Sequence, residues 1–392
     1  MDSLGIYVQV PFCASKCSFC NFSSRVEPSS LFGRYGDALE HEIDGLPFHY
    51  EALGLGERVF RLPVDTVYFG GGTPPLLGAE KLEKIVCALH GRFEMPGAVE
   101  FTVEVTPGSA DRQFLARALG MGINRLSLGA QTFQEQELRA VGRLHSASDT
   151  RELVETARGA GFTNLSIDLV AGLPHQTSES WRGNLEAVLR LAPQHISLYL
   201  FEIDEKSRLG REVMHGGSRY HASTVPGEEF MADAYESGRE ALRREGYVQY
   251  EISNFARPGY ESRHNLKYWR LAPYLGLGAG AHSFDGISRW ANLDAGESYM
   301  DELASERTPI ADVRRLSPDE QVEEFFFLGL RQAEGVSLEA ARKHWGEDAL
   351  SRWRGTIETL ARDGLLTTRG DNLRLAESAY LVSNEVFQEF VQ

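Results

Sequence analysis

Short apolar runs alternate with amphipathic segments along the first half of the chain. The runs end in Gly, Pro or polar residues and are rich in β-branched and aromatic side chains, which predicts strands at residues 5–10, 65–70, 99–106, 124–131, 164–170 and 195–202. Apolar residues at helical spacing predict helices at 80–93, 112–119, 150–159 and 178–191, the last with Thr177 as N-cap. Because strands and helices alternate, the pattern predicts right-handed βαβ units and a parallel sheet, either a partial or complete barrel or doubly wound.

The alternation stops near residue 204, so we predict a barrel core at residues 1–204. Residues 205–310 contain one helical pattern, at 228–245, and a stretch rich in Gly and aromatic residues at 250–284. We predict that this accessory segment completes the core rather than forming a domain of its own.

A third unit is predicted at residues 311–392. Ser317, followed by Pro318 and by Glu320, has the sequence of a capping box with Pro at the first helical position. Helical patterns follow at 320–331, 338–345 and 350–363, and residues 365–375 have the pattern of a hairpin that turns at 369–372. Helices followed by a small hairpin predict a winged-helix-like α+β domain.

Unusual residues fall at the carboxyl end of each predicted strand of the core. They are the cysteines after the first strand, Gly70, Gly71, Gly72, Thr73 and Pro74 after the second, Glu104 late in the third, Gln131 at the end of the fourth, and Asp168 in the fifth. In parallel α/β barrels the chemistry is located at that edge of the sheet. The sequence therefore predicts a single site built from these residues.

Composition and charge exclude some classes of function. The chain has 392 residues, 42% of them hydrophobic and 24% charged, as expected of a folded protein with a sizeable core. A formal net charge of −16 argues against nucleic-acid binding, which needs Lys and Arg on phosphates. No basic leader precedes the first apolar run, and no run approaches the roughly 20 residues of a membrane span. We therefore predict a cytoplasmic protein.

Three of the four cysteines, Cys13, Cys17 and Cys20, fall within one short loop. Three thiolates can bind three irons of a 4Fe–4S cubane and leave the fourth iron open to a chelating ligand. The alternative is zinc, but structural zinc needs four ligands, usually from two cysteine pairs, and there is no second pair. Cys87 lies in an apolar helical stretch and is predicted to be a buried core thiol.

The cysteine loop and the glycine-rich turn together resemble the radical S-adenosylmethionine (SAM) superfamily. Phe19 is the aromatic residue that precedes the third cysteine in the superfamily signature, and residues 70–74 resemble its glycine motif. Glycines allow the backbone to approach a ligand closely. The resemblance implies an α/β fold with a partial (β/α)6-type radical SAM barrel. It also implies a 4Fe–4S cluster on Cys13, Cys17 and Cys20, with SAM on the open iron.

The sequence Tyr-x-Gln-x-Pro-Phe-Cys at residues 7–13 resembles the branch of the superfamily that contains oxygen-independent coproporphyrinogen III oxidase and a family of haem chaperones. The similarity continues nearly end to end, through residues 127–131, 142–146, 168–174, 250–255, 274–284 and 381–390. By this similarity, the SAM on the cluster is lined by Tyr7, Gly71 and Glu104. Positions that hold a second SAM in the oxidases are matched here by Gly72, Thr73, Gln131, Arg143 and Asp168.

Three features favour the haem chaperones over the oxidases. The oxidases have a fourth cysteine two residues after the third, where this chain has Phe22. They also have an extension before the Tyr-x-His-x-Pro-Phe-Cys motif, which here begins at residue 7. The sequence His-Asn-x-x-Tyr-Trp matches the haem motif of the chaperone family. The match implies His264 as axial ligand of the haem iron, with Tyr268 and Trp269 against the porphyrin.

Some of these assignments have simpler alternatives. His264 could instead hydrogen-bond within a buried loop beside core aromatic residues, and His145 and His282 are weaker candidates for a ligand or partner of the iron. The predicted SAM residues have structural alternatives too, an Asp168–Arg143 ion pair and a strand-end cap at Gln131. Gln9 is a departure, because the branch usually has His there and glutamine cannot take the same protonation roles.

The leading hypothesis is a haem chaperone that binds haem near His264, holds a cluster and SAM at the barrel mouth, and passes haem to apo-haemoproteins. The resemblance implies respiratory, membrane-bound acceptors, reached by peripheral membrane contact or through a partner, and leaves a homodimer open. The alternative is a coproporphyrinogen III oxidase, in which a SAM-derived radical starts the decarboxylation of porphyrinogen propionates. A third hypothesis is a scaffold with a zinc-stapled loop and a winged-helix binding module.

Overall fold

The computed structural model describes residues 3–51, 53–55 and 59–391. Six strands form a parallel core: β1 (Leu4–Val10), β2 (Val64–Gly71), β3 (Glu100–Val105), β4 (Arg125–Gln131), β5 (Leu165–Ala171) and β6 (His195–Leu200). The helices of this part are α1 (Ser30–Glu51), α2 (Ala79–Arg92), α3 (Arg112–Gly120), α4 (Glu135–Ala140), α5 (Ala147–Ala160) and α6 (Ser178–Leu191). The predicted α/β class and its six parallel strands are confirmed.

β1 is buried along nearly its whole length, as expected for an apolar strand inside a parallel sheet. It pairs in parallel with β2, so that Ile6 lies opposite Val67 and Val8 lies opposite Phe69. From β1 to β6 the strands follow the chain order, and every neighbouring pair is parallel. All six carboxyl ends therefore meet at one edge of the sheet, where the sequence predicts the site.

Capping boxes begin two helices of the parallel core, α5 and α6. The Ser146 hydroxyl accepts from the N–H of Asp149, and the Asp149 carboxylate accepts from the N–H of Ser146. This box starts α5 three residues before its predicted first residue. Thr177 and Ser180 cap α6 in the same manner, which confirms Thr177 as N-cap. Each N-cap contributes about 1 kcal/mol to helix stability.

The sequence pattern does not predict α1, although its buried side chains recur at helical spacing at Tyr35, Leu39, Ile43 and Leu46. The Tyr35 hydroxyl donates a 2.8 Å hydrogen bond to the carbonyl oxygen of Gln9. The helix therefore supports the end of β1, from which the cysteine loop starts.

The accessory segment extends both edges of the parallel core. Its elements are α7 (Arg208–Met214), α8 (Glu228–Arg244), β7 (Val248–Gln249), β8 (Asn254–Ala256), α9 (Arg263–Trp269), β9 (Tyr274–Leu277), β10 (His282–Phe284), β11 (Ser288–Asn292), α10 (Gly296–Ala304) and β12 (Ile310–Arg315). β9 pairs in parallel with β1, and β8 pairs antiparallel with β6. Within the described residues this gives one twelve-stranded sheet whose end strands, β12 and β7, do not pair with each other. The barrel is partial, as predicted.

The C-terminal region packs helices against a separate three-stranded sheet. Its elements are α11 (Pro318–Gly329), β13 (Val336–Ser337), α12 (Leu338–Trp345), α13 (Glu347–Ser351), α14 (Arg354–Arg362), β14 (Leu366–Arg369), β15 (Asn372–Leu375) and α15 (Ser383–Gln388). The Ser317–Glu320 capping box and the hairpin are present as predicted. The helix predicted at 350–363 is instead two helices, with Trp353 buried at the break between them.

The prediction for Cys87 is wrong. On α2 the neighbouring Ile85, Val86 and Leu89 point into the core, and Cys87 falls on the exposed face between them. In the part of the chain that the structure describes, no helix is long and apolar enough to cross a membrane. The divisions near residues 204 and 310 stay predictions.

Candidate functional site

A cavity of about 470 Å³ opens at the carboxyl ends of the parallel strands. It brings together ten of the residues predicted to bind the cluster and SAM: Cys13, Cys17, Cys20, Gly71, Gly72, Thr73, Glu104, Gln131, Arg143 and Asp168. The other four predicted residues, Tyr7, His264, Tyr268 and Trp269, lie outside its lining. A cavity of several hundred Å³ suits a ligand of the size of SAM.

The three cysteines of the loop are all free thiols, and Cys17 is buried. Burial raises the pKa of the Cys13 thiol, and the nearby thiols of Cys20 and Cys17 raise that pKa further. Among the described residues, no three His, Cys, Asp or Glu side chains are close enough together to ligate a single metal ion. In a cubane each thiolate binds a different iron and the ligands stand apart, so the loop fits a 4Fe–4S cluster better than zinc.

Two cationic side chains face the cysteines. Nη1 of Arg143 lies 3.4 Å from Sγ of Cys17, and Nζ of Lys16 lies 3.6 Å from Sγ of Cys20. Lys16 is held in place by a 2.6 Å hydrogen bond to the carbonyl oxygen of Phe22. Both contacts place positive charge beside the sulfurs, where a cluster on thiolates would bring negative charge. Arg143, predicted for SAM, thus also contacts the cluster loop.

The glycine motif packs directly on the cysteine loop. Gly71 has a φ of 97°, in the left-handed region that favours glycine. A Cβ on Gly72 would overlap the carbonyl oxygens of Val10 and Phe12, so only glycine fits there. The N–H of Thr73 donates to the carbonyl oxygen of Phe12 at 2.7 Å. The turn therefore places its half-buried backbone at the cavity, beside the loop predicted to bind the cluster.

Glu104 lines the cavity and holds the glycine motif. Its Oε1 accepts a 2.9 Å hydrogen bond from the Tyr68 hydroxyl, and its Oε2 accepts a 3.0 Å bond from the N–H of Gly71. Burial raises the pKa of the Glu104 carboxyl to about 7, against the lowering effect of the Tyr68 hydrogen bond. The Asp168 carboxylate raises that pKa further. Two buried acids facing one cavity suit a cationic ligand group.

Asp168 on the far wall has an unsatisfied oxygen. Its Oδ1 is buried and has no hydrogen-bond partner. Burial raises the pKa of this carboxyl to about 6, and a hydrogen bond from Ser197 and the charges of Arg125 and Arg143 partly offset the rise. Within the described residues no ion pair joins Asp168 to Arg143, contrary to the structural alternative. A buried oxygen without a partner fits a ligand that brings a donor.

Gln131 ends β4 with a φ of 69°, a strained conformation for a residue other than glycine. Such strain concentrates at ligand sites. Gln131 lies at the end of its strand, as the sequence predicts. Its strained backbone could not be predicted from the sequence, because φ is set by the surrounding packing.

The cavity also contains Lys16, which no sequence motif identified, and Ser127 and His145, which lie in the matched segments but were not predicted to bind SAM. Both ring nitrogens of His145 are buried without a hydrogen-bond partner. Burial, and after it the charge of Arg143, lower the pKa of His145 to about 4, so its ring is neutral. The sequence names His145 only as a weaker candidate for the haem iron, whereas the structure places it in the cluster cavity. His282 lies at the start of β10, away from this cavity.

The haem motif lies at the opposite end of the barrel, beside the first residues of β1, β2 and β3. His264 is only 1% exposed, and its backbone N–H donates to Glu100 at 2.9 Å. Its Nδ1 is 2.9 Å from Oγ1 of Thr66, and its Nε2 is 2.8 Å from the hydroxyl of Tyr268. Burial lowers the pKa of His264 to about 3. Both ring nitrogens of His264 therefore already have hydrogen-bond partners, as in the alternative of a histidine bonded within a buried loop. Haem ligation by His264 stays a prediction, and it requires one of these two hydrogen bonds to open.

Stacked rings connect the haem motif to the cluster cavity. The ring of Tyr68 lies 5.3 Å from that of His264, and the ring of Tyr7 lies 5.9 Å from that of Tyr68. Trp269, the last residue of the motif, lies under the guanidinium of Arg331 at 4.6 Å. Since Tyr68 also donates to the Glu104 carboxylate, one side chain connects the motif with the predicted SAM site.

Gln9 is buried beneath the glycine motif. Its Oε1 accepts from the Tyr7 hydroxyl at 2.8 Å, and its Nε2 donates to the carbonyl oxygen of Ser23 at 3.0 Å. Both polar atoms of the amide are therefore used within the protein. Tyr7 is held below the cavity floor by this bond rather than lining the cavity.

Comparison with known proteins agrees with this geometry. Residues 7–188 match the model of the Radical SAM superfamily, and residues 316–382 match the HemN C-terminal domain. The solved structure of coproporphyrinogen III oxidase (HemN) from Escherichia coli superposes with a TM-score of 0.84, at 23% identity, over 99% of this chain and 90% of that one. Residues 7–188 thus form a radical SAM domain, and that superfamily implies a 4Fe–4S cluster and SAM.

Curated relatives narrow the class. The Heme chaperone HemW of Bacillus subtilis is 33% identical over 98% of this chain and 98% of its own length. HemW proteins of Lactococcus lactis and Mycobacterium tuberculosis are each 31% identical over at least 97% of this chain. The chain belongs to the family of these HemW proteins.

Proposed function

We propose that the protein is a haem chaperone, which binds haem and delivers it to apo-haemoproteins while holding a 4Fe–4S cluster and SAM. The observation that carries the proposal is the similarity to relatives named Heme chaperone HemW along nearly the whole chain. The B. subtilis protein, for example, has 33% sequence identity over 98% of this chain. Phe22 supports it, since a 70% exposed phenylalanine stands beside the cavity where the oxidases have a fourth cysteine.

The cluster is assigned to Cys13, Cys17 and Cys20, whose loop fits three irons. When bound and reduced, a 4Fe–4S cluster supplies single electrons to SAM. The protein's own contribution is electrostatic: Lys16 and Arg143 hold positive charge at 3.6 and 3.4 Å from the sulfurs of Cys20 and Cys17. These cations offset the negative charge that a cluster brings.

The SAM site is assigned to the glycine motif and the two buried acids. Gly71 and Gly72 leave room for a ligand beside the backbone, and Glu104 offers a carboxylate to the amino group of SAM. Asp168 offers the unpartnered Oδ1 to a donor of the ligand. Gln131, Thr73 and the neutral ring of His145 complete the wall. One or two SAM molecules are compatible with these assignments.

The alternative is a coproporphyrinogen III oxidase. The E. coli oxidase has the same fold as this chain, with a TM-score of 0.84. At 23% sequence identity, this similarity supports a shared fold and does not extend to a shared activity. Phe22 opposes the alternative, since a phenylalanine cannot supply the thiol that the oxidases have at that position. Measured decarboxylation decides between the two.

The finer assignments follow from the family resemblance. We propose a cytoplasmic protein whose acceptors are respiratory haemoproteins, reached by peripheral membrane contact or through a partner protein, and which can form a homodimer. The proposed units are the barrel at residues 1–204, the accessory segment at 205–310 and the winged-helix-like domain at 311–392.

The test uses the full chain, reconstituted anaerobically with iron and sulfide. Haemin is titrated while the visible spectrum is recorded, and the reduced protein with SAM is assayed for decarboxylation of coproporphyrinogen III. Saturable growth of a Soret band, transfer of the haem to an apo-haemoprotein and no decarboxylation are expected. Decarboxylation without saturable haem binding would establish the oxidase instead.

A further inference from the structure

A row of side chains crosses the sheet beside the haem motif. Tyr274 on β9 lies opposite Phe284 on β10, and Phe284 lies opposite Arg289 on β11. Arg289 in turn lies opposite Arg314 on β12. Residues directly opposite each other point to the same face of a sheet. At about 4.8 Å between neighbouring strands, the row extends over roughly 14 Å, from an aromatic end to a cationic end.

The aromatic end of the row adjoins the predicted haem ligand. The ring of Tyr274 lies 4.7 Å from that of Tyr268 and perpendicular to it, and the hydroxyl of Tyr268 lies 2.8 Å from Nε2 of His264. Tyr274 and Phe284 form, with Leu316, a small apolar cluster that is separate from the main core, and Tyr268 packs against it. An aromatic, apolar surface that begins at a histidine nitrogen suits the face of a porphyrin whose iron that nitrogen binds.

Arg289, at the cationic end, is held in place as a receptor for a carboxylate. Its Nε and Nη2 donate to the two carboxylate oxygens of Glu324, both at 2.7 Å. The remaining nitrogen, Nη1, donates to the hydroxyl of Tyr274 at 3.0 Å, and the guanidinium lies 4.4 Å from the centre of the Phe284 ring. Two neighbours in the row thus fix the guanidinium. Its two-pronged edge is left for one carboxylate, which at present belongs to Glu324.

The second arginine of the row also pairs with a glutamate of α11. Arg314 forms an ion pair with Glu320, which precedes Glu324 by one helical turn. Side chains four residues apart lie on the same face of a helix, so α11 places two carboxylates on the two arginines. Haem has an apolar ring with two propionate carboxylates on one edge. The two glutamates therefore occupy the arginines as a pair of propionates would.

The segment that follows α11 covers the haem motif itself. The guanidinium of Arg331 lies 4.6 Å from the centre of the Trp269 ring, and Nε of Arg270 donates to Oε1 of Gln332 at 3.1 Å. α11 and the residues after it thus contact both the motif and the arginine row. Because His264 is only 1% exposed, haem reaches its ring only when contacts of this kind open. The glutamates of α11 are the part of this cover that a propionate can replace directly.

We infer that Arg289 and Arg314 bind the propionates of haem ligated at His264, and that Glu324 and Glu320 occupy these arginines until haem displaces them. The inference rests on the proposed haem-chaperone function and on the haem motif, and it names the residues that recognise the carboxylates of the cargo. A chaperone must also release its haem. Return of the glutamates to the arginines offsets the loss of the propionate contacts and so favours release.

The test titrates the anaerobically reconstituted full chain with haemin and, separately, with haemin dimethyl ester, which lacks the propionate charges. The wild type should bind haemin more tightly than the ester. Arg289→Gln should reduce this preference by about tenfold or more. Arg314→Gln should reduce it by less, because the side chain of Arg314 is 66% exposed. A merely structural role of the arginines would weaken binding of both ligands alike and leave the preference unchanged.

Three further variants complete the design. Glu324→Gln should raise the affinity for haemin several-fold, because it removes the competing carboxylate and keeps the size of the side chain. The double variant Arg289→Gln with Glu324→Gln leaves neither charge unpaired, so it replaces Arg289→Gln if that variant does not fold, and it should show the same low preference. Arg307→Gln is the matched control: it removes an exposed two-pronged arginine–glutamate pair, with Glu302 of α10, and should bind both ligands like the wild type.

The outcomes separate this inference from the function on which it rests. If the wild-type chain shows no saturable binding of haemin, the proposed function fails, and the inference fails with it. If the wild type binds haemin and the Arg289 variants keep its preference for haemin over the ester, the inference is wrong and the function stands. The same holds if Glu324→Gln binds haemin no more tightly than the wild type, or if His264→Ala keeps the Soret band of the wild type.

Discussion

The hydroxyl of Tyr68 donates a 2.9 Å hydrogen bond to Oε1 of Glu104, and this bond joins the two ends of the barrel. The ring of the same tyrosine stacks on His264, at the end remote from the cysteines. Glu104 faces the cluster cavity and holds the N–H of Gly71 through its other oxygen. The haem motif therefore supports the floor of the predicted SAM site from below.

This relationship predicts the consequence of His264→Ala. Thr66 and Tyr268 would each lose a buried hydrogen-bond partner and a cavity would form, so we expect the free energy of unfolding to fall by about 2–4 kcal/mol. Tyr68 would lose one of its two stacking partners and keep Tyr7, and the affinity for SAM should fall while iron and sulfide content remain. Denaturant unfolding and equilibrium dialysis measure these effects. His264→Gln, which can still donate and accept, should lose less; equal losses in both variants would contradict this account.

Cys17→Ala should abolish the cluster. Two thiolates cannot hold three irons of the cubane, so iron and acid-labile sulfide should fall close to zero after reconstitution. Cys87→Ala is the matched control, because that thiol is exposed on α2 and away from the loop. Full iron and sulfide in Cys17→Ala would refute the assignment of the cluster, and zinc without sulfide in the wild type would select the scaffold hypothesis.

Gly72→Ala should disrupt the SAM site. The added Cβ would overlap two backbone carbonyl oxygens of the strand and loop that carry the cysteines, and backbone cannot move as a side chain can. We expect a fall in SAM affinity of at least tenfold and a lower cluster content, measured by dialysis and by iron analysis. Gly91→Ala is the control, because its Cβ would meet open space on α2. There the alanine should stabilise the helix by up to about 1 kcal/mol. Unchanged SAM binding in Gly72→Ala would remove the glycine motif from the site.

The affinity for SAM should depend on pH through Glu104. Burial raises the pKa of this carboxyl to about 7, so the carboxylate that attracts the amino group of SAM is lost as the pH falls below that value. We expect affinity to fall by up to about tenfold per pH unit below pH 7 and to be level above pH 8. Dialysis between pH 5.5 and 8.5 measures this profile. Glu104→Gln should bind weakly with a much flatter profile, and a wild-type profile as flat as that of the variant would exclude Glu104 as the group responsible.

Asp168→Asn should stabilise the free protein. Burial raises the pKa of this carboxyl from 3.8 to about 6 in the folded state, so the native state binds more protons than the unfolded state between those values. The free energy of unfolding is therefore expected to fall as the pH rises from about 4 to 6. Above pH 6 the full cost of burying the Asp168 carboxylate remains. Removing the charge should recover up to about 3 kcal/mol at pH 8 and little at pH 4, measured by denaturant unfolding. The variant should also bind SAM more weakly; a loss of stability at pH 8 would contradict the assignment.

The sequence by itself determined the local structure and the chemistry of the barrel mouth. Hydrophobic periodicity predicted all six parallel strands, and Thr177 and Ser317 marked helix starts correctly, because periodicity and caps depend on neighbours within a few residues. Motif spacing placed the cysteines, the glycine turn, Glu104 and Asp168 at one edge, since parallel strands in chain order bring their carboxyl ends together.

Only the tertiary structure decided what depends on residues distant in the chain. Packing turned Cys87 outward although its neighbours are apolar, and it placed His264 between Thr66 and Tyr268 at the far end of the barrel. It also brought His175 to within 3.2 Å of His221, across 46 residues of sequence. Such pairings depend on strand register, loop path and packing together, and no local pattern in the sequence contains them.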